Sequence, residues 1–309
     1  MKKRNLISQL KFPVLSLLLL AGFSSCDEVE HPFIPATPTA LDQTLYPGDW
    51  SAYPWPVFTA NTNANRNVLL EDYTGHKCVY CPAAADIGAG IESANPGRVF
   101  VASIHTSPGG TGPFQETDAS YPYDFTNAQG ILYGTTFQNG FGFDANPKGT
   151  VARKTFNGTM FQGANNWINA TQQTLTANEL KTNLQAAINY YPSTRGIFLH
   201  AEIDTMSMAS QDVAIVVYLI EESFISKQKF PSGVVQDDYH HHNVHRGSID
   251  GRAFGRSLAT EDLNTNGKFY LNYSYKLPAQ YDPANCHLLV YAMNKTTYEV
   301  YHVIKVDIP

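Results

Sequence analysis

Charged residues and basic clusters are scarce in this sequence. Asp, Glu, Lys and Arg make up 16% of the 309 residues and leave a formal net charge of −6, whereas an average soluble protein contains about 25% charged residues. No block of Lys and Arg occurs beyond the N-terminus. Nucleic acid is therefore not an expected partner, because it is held mainly by clustered basic side chains. The hydrophobic fraction of 43% is ample for a packed core, and the length favours two domains.

Long apolar runs are also lacking, apart from one near the N-terminus. Residues 12–23, FPVLSLLLLAGF, follow the basic MKKR and are too few to span a bilayer, a pattern typical of a signal peptide. The FSSC that follows resembles a bacterial lipobox. We therefore predict that residues 1–25 are a lipoprotein signal peptide and that Cys26 is lipidated. The alternative is an ordinary secretory peptide that is cleaved nearby.

The acidic DEVE after Cys26 resembles the surface-export signal of lipoproteins in the Bacteroidota. The resemblance implies that the protein is lipid-anchored in the outer membrane and faces the cell exterior. The alternative is a solvated acidic segment that carries no export signal.

Cysteine is rare, with four in the chain. If Cys26 carries the lipid, Cys78, Cys81 and Cys286 remain. Exported proteins lie in oxidising compartments, so we predict a Cys78–Cys81 disulfide. Cys286 stands in the apolar run ANCHLLVYAMN and is predicted to be a buried, unreactive thiol.

The chain after the signal peptide divides by composition. Residues 26–65 are rich in Pro and Thr and are interpreted as a tether, whose Trp and Tyr residues dock its second half onto the folded body. Residues 66–194 alternate strand and helix signals, and NVLLEDY, CPAAADIGAGIES and RVFVASIH predict a βαβ unit with parallel strands. Residues 107–140 are predicted to be a loop insertion.

Two further elements are predicted before residue 194. Asn157-Gly158 suits a two-residue type I′ hairpin between two strands. The segment from Thr176 to Ile188 begins with a capping-box pattern and then carries an apolar residue every four positions, which predicts a helix.

From residue 195 onward only strand patterns occur. The five candidates are GIFLHAEID, DVAIVVYLIEE, KFYLNYSYKL, CHLLVYAMN and EVYHVIKVDI. No amphipathic helix pattern separates them. Residues 195–309 are therefore predicted to form an immunoglobulin-like β-sandwich domain.

The order βαβ, proline, hairpin and helix resembles the thioredoxin fold. CVYCP at 78–82 follows the first strand and opens a helix, Asp72 lies six residues before the first cysteine, and Pro147 precedes the hairpin. Thioredoxins carry a CxxC, a buried acid and a cis-proline at such positions. The resemblance implies an α/β thioredoxin-like domain followed by an all-β domain, and it predicts a cis bond before Pro147.

Longer stretches resemble the outer membrane protein 28 family of Bacteroidota lipoproteins. They are VLLEDYTGHKCVYCP, NPKGTVAR, and VVYLIEES followed by DDYHHHNVHRG. The resemblance implies an outer-membrane protein that combines a thioredoxin-like domain with a C-terminal β-sandwich, and adhesion is proposed for some members. The chain departs from the family in the extra histidines of HHHNVHRG.

The CxxC supports three hypotheses. A thiolate at a helix N-terminus is stabilised by the unpaired N–H groups, so Cys78 would be a nucleophile, Cys81 the resolving thiol and Asp72 a proton shuttle. The alternative is a disulfide that only staples the turn, since no reductant for it is evident outside the outer membrane. A zinc site would need two further ligands, for which His76 and His105 are the nearby candidates. No resident cofactor is predicted.

A second candidate site is the histidine-rich segment DDYHHHNVHR, which contains His240, His241, His242 and His245. Four imidazoles beside two carboxylates could bind a divalent metal. In a strand, however, His240 and His242 would share one face, and His241 and His245 the other. The alternative is a polar strand whose histidines form hydrogen bonds within the protein.

We favour a surface binding protein, either an adhesin or an accessory lipoprotein of an outer-membrane importer. The lipobox, the predicted β-sandwich and the aromatic-rich loop at 107–140 support this function, because loops on a rigid scaffold commonly carry binding sites. The expected partners are the outer membrane itself and importer subunits or a host ligand. The alternatives are an extracytoplasmic thiol–disulfide oxidoreductase and a metal-binding protein.

Overall fold

A nine-stranded mixed sheet is the largest element of the fold. The computed structural model describes residues 41–264 and 266–309. The predicted signal peptide and the lipidation site Cys26 lie outside the described residues. No helix in the described part of the chain is long and apolar enough to cross a membrane.

The N-terminal half contains the predicted βαβ unit. Its elements are β1 Val68–Thr74, α1 Cys81–Ala94 and β2 Val99–His105, followed by α2 Ala128–Phe137, β3 Lys148–Val151, β4 Phe161–Gln162 and α3 Trp167–Ala177. Strands β1 and β2 pair in parallel, and β3 pairs with the other edge of β1 in antiparallel. Strands β1 and β2 are buried along almost their whole length, so their polar residues, among them Glu71, Asp72 and Ser103, lie inside the protein.

The C-terminal half is built from strands. They are β5 Asn183–Tyr191, β6 Gly196–Asp204, β7 Val213–Lys229, β8 Val235–Ser248, β9 Arg256–Ser257, β10 Phe269–Lys276, β11 Cys286–Asn294 and β12 Val300–Asp307. The five strands predicted beyond residue 195 are all present. Strand β7 is longer than its apolar core and continues as the first arm of a polar hairpin with β8.

The two halves share one sheet. Its strand order is β12-β11-β7-β8-β2-β1-β3-β4, with β9 beside β7, and a second sheet has the order β10-β6-β5. The junction is a short parallel contact in which Ser103 of β2 pairs with Val244 of β8. Residues from 41 onward belong to one compact unit, and strands from both sides of the predicted boundary at 194/195 lie in the large sheet.

Alternating side chains of β7 pack into two different cores. Val213, Ile215 and Val217 face a cluster that contains β6 and β10 residues, whereas Ala214 and Val216 face a cluster that contains β1, β2 and α1 residues. Side chains alternate across a strand, so a strand buried on both faces joins the two cores.

The helix predicted from Thr176 to Ile188 is wrong. Helix α3 ends at Ala177, where Asn178 takes a left-handed conformation with φ of 46°. Residues 183–191 form β5 instead and pair with β6 along their full length. A spacing of four residues places side chains on one face of a strand as well as of a helix, so tertiary pairing decided the outcome.

The insertion at 107–140 is not only a loop, because it contains α2. The Asn127 side chain accepts a hydrogen bond from the N–H of Gly130, which caps the helix at its start. Gly130 and Gly134 lower its intrinsic helix propensity and made it difficult to recognise. They allow close packing, since a Cβ on Gly130 would lie 3.2 Å from Ile104.

The second half of the predicted tether docks onto the folded body, as predicted. Leu45 and Tyr53 are buried in a cluster with Phe198 of β6. The Tyr53 hydroxyl lies 2.6 Å from His200 Nε2, and Asn189 Nδ2 donates to the same hydroxyl at 2.9 Å. The aromatic residues of the segment therefore cover the outer face of the smaller sheet.

Candidate functional site

Cys78 and Cys81 form a disulfide at the start of α1, as predicted. Pro82 occupies the first turn of that helix, where its missing N–H removes no hydrogen bond of the helix. The two cysteines are only 2% and 1% exposed. The disulfide is therefore buried, although Tyr80, which lies between the two cysteines in the sequence, is 67% exposed.

Asp72 lies in β1, between Ser103 of β2 and Gly149 of β3. Its carboxylate is buried, and neither oxygen has a hydrogen-bond partner among the described residues. Burial raises the pKa of Asp72 to about 7. The side chain lines a cavity of about 20 Å³ together with Cys81, which is space for roughly one water molecule.

Pro147 follows a cis peptide bond, as predicted. Asn146, the residue before it, donates from Nδ2 to the carbonyls of Tyr73 and Thr106 at 2.8 and 2.9 Å. Ser107 Oγ lies 2.6 Å from Asn146 Oδ1. These bonds hold the proline loop against the ends of β1 and β2, which is the same end of the sheet that leads to the disulfide.

The hairpin of β7 and β8 covers the disulfide. Gln228 Nε2 donates to the carbonyl of Cys78 at 3.0 Å, and the Lys229 N–H donates to the carbonyl of His76 at 2.9 Å. Residues of β8, among them Tyr239 and His241, line the cavity that contains Asp72 and Cys81. The sequence contains no signal for this contact, because Gln228 and Cys78 are 150 residues apart.

The four candidate metal ligands of β8 separate onto two faces, as the strand hypothesis requires. His240 and His242 are exposed, whereas His241 and His245 are buried. The described part of the chain contains no group of three or more His, Cys, Asp or Glu that could hold a metal ion. Desolvation lowers the pKa of His241 to about 4 and that of His245 to about 3, so both are neutral near pH 7.

The two histidines considered for a zinc site with the CxxC take part in aromatic stacking. The ring of His76 stacks on Tyr121 at 5.4 Å between centroids, and the ring of His105 stacks on Phe125 at 4.4 Å. His76 Nε2 also lies 3.2 Å from the carbonyl of Glu116. The aromatic residues of the insertion thus pack over the histidines instead of projecting freely into solvent.

An open groove lies where the insertion meets the C-terminal strands. It has a volume of about 400 Å³. Its walls are formed by Tyr123, Asp124, Thr126, Asn127, Phe224, Arg246, Gln280 and Tyr281. A polar groove of about 340 Å³ adjoins it and shares Asp124 and Thr126.

Arg246 organises the aromatic wall of this groove. Its guanidinium lies 5.3 Å from the ring centre of Tyr123, 5.2 Å from that of Phe224 and 5.6 Å from that of Tyr281. Its Nε donates to Glu221 Oε2 at 2.8 Å. The aromatic rings are therefore held in place by cation–π contacts around a neutralised ion pair.

Sequence reasoning did not identify Arg246 or Glu221 as site residues. Arg246 is the last residue of the histidine-rich segment considered as a candidate metal site, and Glu221 follows directly on the apolar run of β7. The sequence signal that could have indicated this groove is the density of aromatic residues in the insertion.

These features define a mixed α/β protein with a large sheet, a covered CxxC disulfide and a groove between its two halves. A family model described as outer membrane protein Omp28 matches residues 134–309. The match spans more than half of the chain, so the protein belongs to the Omp28 family. The family is one of outer membrane proteins, which assigns the protein to that membrane. The matched region includes Pro147 and the strands of the C-terminal half but not the CxxC.

Two solved structures from the same organism are similar to the chain. HBP35 of Porphyromonas gingivalis is similar with a TM-score of 0.58 and 15% identity over 80% of this chain and 77% of that chain. This likeness shows a shared fold. A domain of the outer membrane lipoprotein Omp28 from Porphyromonas gingivalis is 20% identical, with a TM-score of 0.27 over 41% of this chain and 88% of that chain. No curated protein matches the chain.

Proposed function

We propose that the protein is a lipoprotein of the outer membrane that is anchored through Cys26, faces the cell exterior and binds a ligand or partner through the groove around Arg246. The partner is a host ligand or a subunit of an outer-membrane importer. In this proposal, residues 66–194 are a thioredoxin-like domain and residues 195–309 an immunoglobulin-like sandwich. The βαβ unit, the cis-proline and the two packed sheets support these finer assignments.

The observation that carries the binding function is the joint construction of the groove. Its walls come from the insertion, from β7 and β8, and from the turn before β11, so residues distant in sequence converge on one surface. Ligand sites are commonly concave and combine aromatic walls with a few polar groups. Tyr123, Phe224 and Tyr281 supply the aromatic surface, and Asp124 and Gln280 supply exposed polar groups.

The test is capture from gently solubilised outer membranes with the full-length lipoprotein and its Tyr281→Ala variant. Tyr80→Ala is the matched control, because Tyr80 is an exposed tyrosine beside the disulfide and not in the groove. A partner held by the wild type and by Tyr80→Ala, and lost from Tyr281→Ala at unchanged thermal stability, supports the proposal. Capture that is identical for all three proteins contradicts binding of an importer subunit through the groove. Protease shaving of intact cells tests the exterior location, which is wrong if the protein survives until lysis.

The second candidate function is thiol–disulfide exchange. It is favoured by the unpartnered carboxyl of Asp72, which lines the same cavity as Cys81 and whose pKa is raised to about 7. Such a group can exchange protons with a leaving thiolate near neutral pH. A reduction potential below about −300 mV would mark a structural disulfide, whereas one near about −200 mV or higher would support exchange. Insulin reduction that is lost in Cys78→Ala is the corresponding activity test.

A further inference from the structure

Two residues at the end of β7 donate hydrogen bonds to backbone carbonyls of the CxxC loop. The Lys229 N–H donates to the His76 carbonyl at 2.9 Å, and the Gln228 amide donates to the Cys78 carbonyl at 3.0 Å. Gln228 Nε2 also lies 2.9 Å from its neighbour's carbonyl, that of Lys229. The end of β7 thus satisfies backbone acceptors on the loop that carries the disulfide.

The Gln228 side chain is itself buried, with 3% exposure. A buried amide without acceptors raises the free energy of the protein. The hydrogen bond to Cys78 therefore favours the position in which the hairpin lies against the CxxC loop, which we call the closed position. The cross-strand neighbour of Gln228 is Gln236, which is exposed. The two glutamines at this register position therefore differ in burial and in the contact with the disulfide loop.

The closed hairpin restricts access to sulfur. A thiolate that opens a disulfide must reach one sulfur atom and form a mixed disulfide with it. Cys78 and Cys81 are 2% and 1% exposed, and Gln228, Tyr239 and His241 line the same small cavity as Cys81. Cysteines that are this deeply buried are closed to a protein reductant in this conformation.

We propose that Gln228 is a positioning residue that holds the β7–β8 hairpin over the Cys78–Cys81 disulfide and thereby determines which reductants can reach it. Small dithiols reach the sulfurs through limited opening of the hairpin, whereas a protein reductant requires its displacement. The proposal concerns the disulfide and rests on neither the groove nor an enzymatic activity.

The chemical step is reduction by an external dithiol. One thiolate of dithiothreitol attacks a cysteine sulfur, breaks the S–S bond and releases the other cysteine as a thiolate. The second thiol of the reagent then displaces the first cysteine and forms cyclic oxidised dithiothreitol. Two electrons pass from reagent to protein, and the two protons of the reagent balance the two new cysteine thiols.

The experiment measures the rate of reduction in the full-length lipoprotein in detergent, with dithiothreitol and with purified, fully reduced thioredoxin as the two reductants. Gln228→Met keeps the volume of the side chain but removes its donors. We expect reduction by dithiothreitol to accelerate about five- to tenfold, the effect of losing one hydrogen bond that favours the closed form, and reduction by thioredoxin to accelerate more. Gln236→Met makes the same substitution at the exposed cross-strand position and should remain within about twofold of the wild type.

Lys229→Pro provides an independent variant, because it removes the N–H that binds His76 at an exposed position. It should accelerate reduction as Gln228→Met does. Unchanged rates in both variants, at unchanged melting temperature, would overturn the proposal. So would equal acceleration in Gln236→Met. If the rates change as expected but the wild type neither reduces insulin nor has a potential near −200 mV, the hairpin role stands and the exchange function fails.

Should Gln228→Met be too unstable for kinetics, amide hydrogen exchange of Lys229 in the wild type and in Gln236→Met measures hairpin opening directly. The proposal predicts that mild urea raises the exchange rate of this amide and the rate of disulfide reduction by the same factor. Reduction that remains constant while the amide exchanges faster would contradict it.

Discussion

Glu71 and Arg153 form a bidentate ion pair whose two side chains are completely buried. Arg153 Nη2 lies 2.7 Å from Glu71 Oε1, and Arg153 Nε lies 2.8 Å from Oε2. The same guanidinium donates to the hydroxyl of Tyr218 at 2.9 Å. Glu71 belongs to β1 and Tyr218 to β7, so the pair connects the N-terminal half of the protein to the C-terminal strands.

Glu71→Gln should destabilise the protein by about 3–5 kcal/mol, because it leaves the buried charge of Arg153 without a counter-charge. Urea unfolding at pH 7 measures the change in the free energy of unfolding. The matched control is Asp144→Asn, which breaks the exposed pair with Lys148 and should change stability by about 0–1 kcal/mol. Equal effects of the two substitutions would show that the buried pair has no special role.

Replacing both partners tests the same pair differently. Glu71→Met with Arg153→Leu removes both charges and fills the space with apolar atoms. Buried ion pairs replaced in this way often recover stability. We expect the double variant to be more stable than Glu71→Gln alone. A double variant that is less stable than the single one would show that the network around Tyr218 contributes more than the pair itself.

Asp72 should make the protein less stable as pH rises. Burial raises its pKa in the folded protein to about 7 from 3.8, so the folded state binds a proton more tightly than the unfolded state. Its favourable contribution is complete below pH about 4 and is lost as pH rises to about 7. The free energy of unfolding of Asp72→Asn, relative to that of the wild type, should therefore rise by about 4 kcal/mol over this pH range.

Urea unfolding of both proteins from pH 4 to pH 8 measures that difference, and the effects of other titrating groups cancel in the comparison. Curves that stay parallel over the whole range would show that Asp72 titrates at its ordinary value when folded.

His245 should act in the opposite direction at lower pH. Desolvation lowers its pKa to about 3, so protonation favours the unfolded state. The stability it contributes is complete above the unfolded value of about 6.5 and is lost as pH falls toward about 3. Below pH 6, His245→Gln should reduce the slope of the free energy of unfolding against pH by up to about 1.36 kcal/mol per pH unit. An unchanged slope would contradict the assignment of a neutral buried imidazole.

Gly149 is required by close packing beside Asp72. A Cβ at this position would lie 2.5 Å from Cζ2 of Trp167 and would also meet the backbone of Glu71. Gly149→Ala should therefore cost about 1–3 kcal/mol or more. Gly163→Ala is the opposite control, because nothing lies within 4 Å of its Cβ, and it should raise stability by about 0.4–1 kcal/mol. Thermal unfolding of the two variants measures both effects, and the idea fails if Gly149→Ala melts at the wild-type temperature.

Much of the site next to the disulfide could be predicted because its signals are local. The CxxC followed by Pro82 at a strand-to-helix turn, the acid on the preceding strand, and Pro147 before the hairpin are short patterns with specific backbone consequences. The Asn157-Gly158 turn was recognisable for the same reason, since both residues adopt positive φ, 51° and 83°. Five strands of the C-terminal half were evident from their apolar runs.

The groove and the hairpin cover could not be predicted in this way. Phe224, Arg246 and Tyr281 come from separate strands and turns, and the Gln228 amide is 150 residues from its acceptor. Such contacts depend on which strands become neighbours in the sheet, and no short pattern specifies that order.

The sequence by itself determined the chemistry of each short segment: the CxxC at a helix start, the signal-peptide pattern, and the apolar strands that must be buried. Tertiary structure alone decided that residues 183–191 pair with β6 as a strand, that Arg153 reaches Glu71, and that the β7–β8 hairpin closes over Cys78. The physical reason is that backbone and side-chain preferences act within a few residues, whereas the burial of polar groups becomes favourable only when distant segments supply their partners.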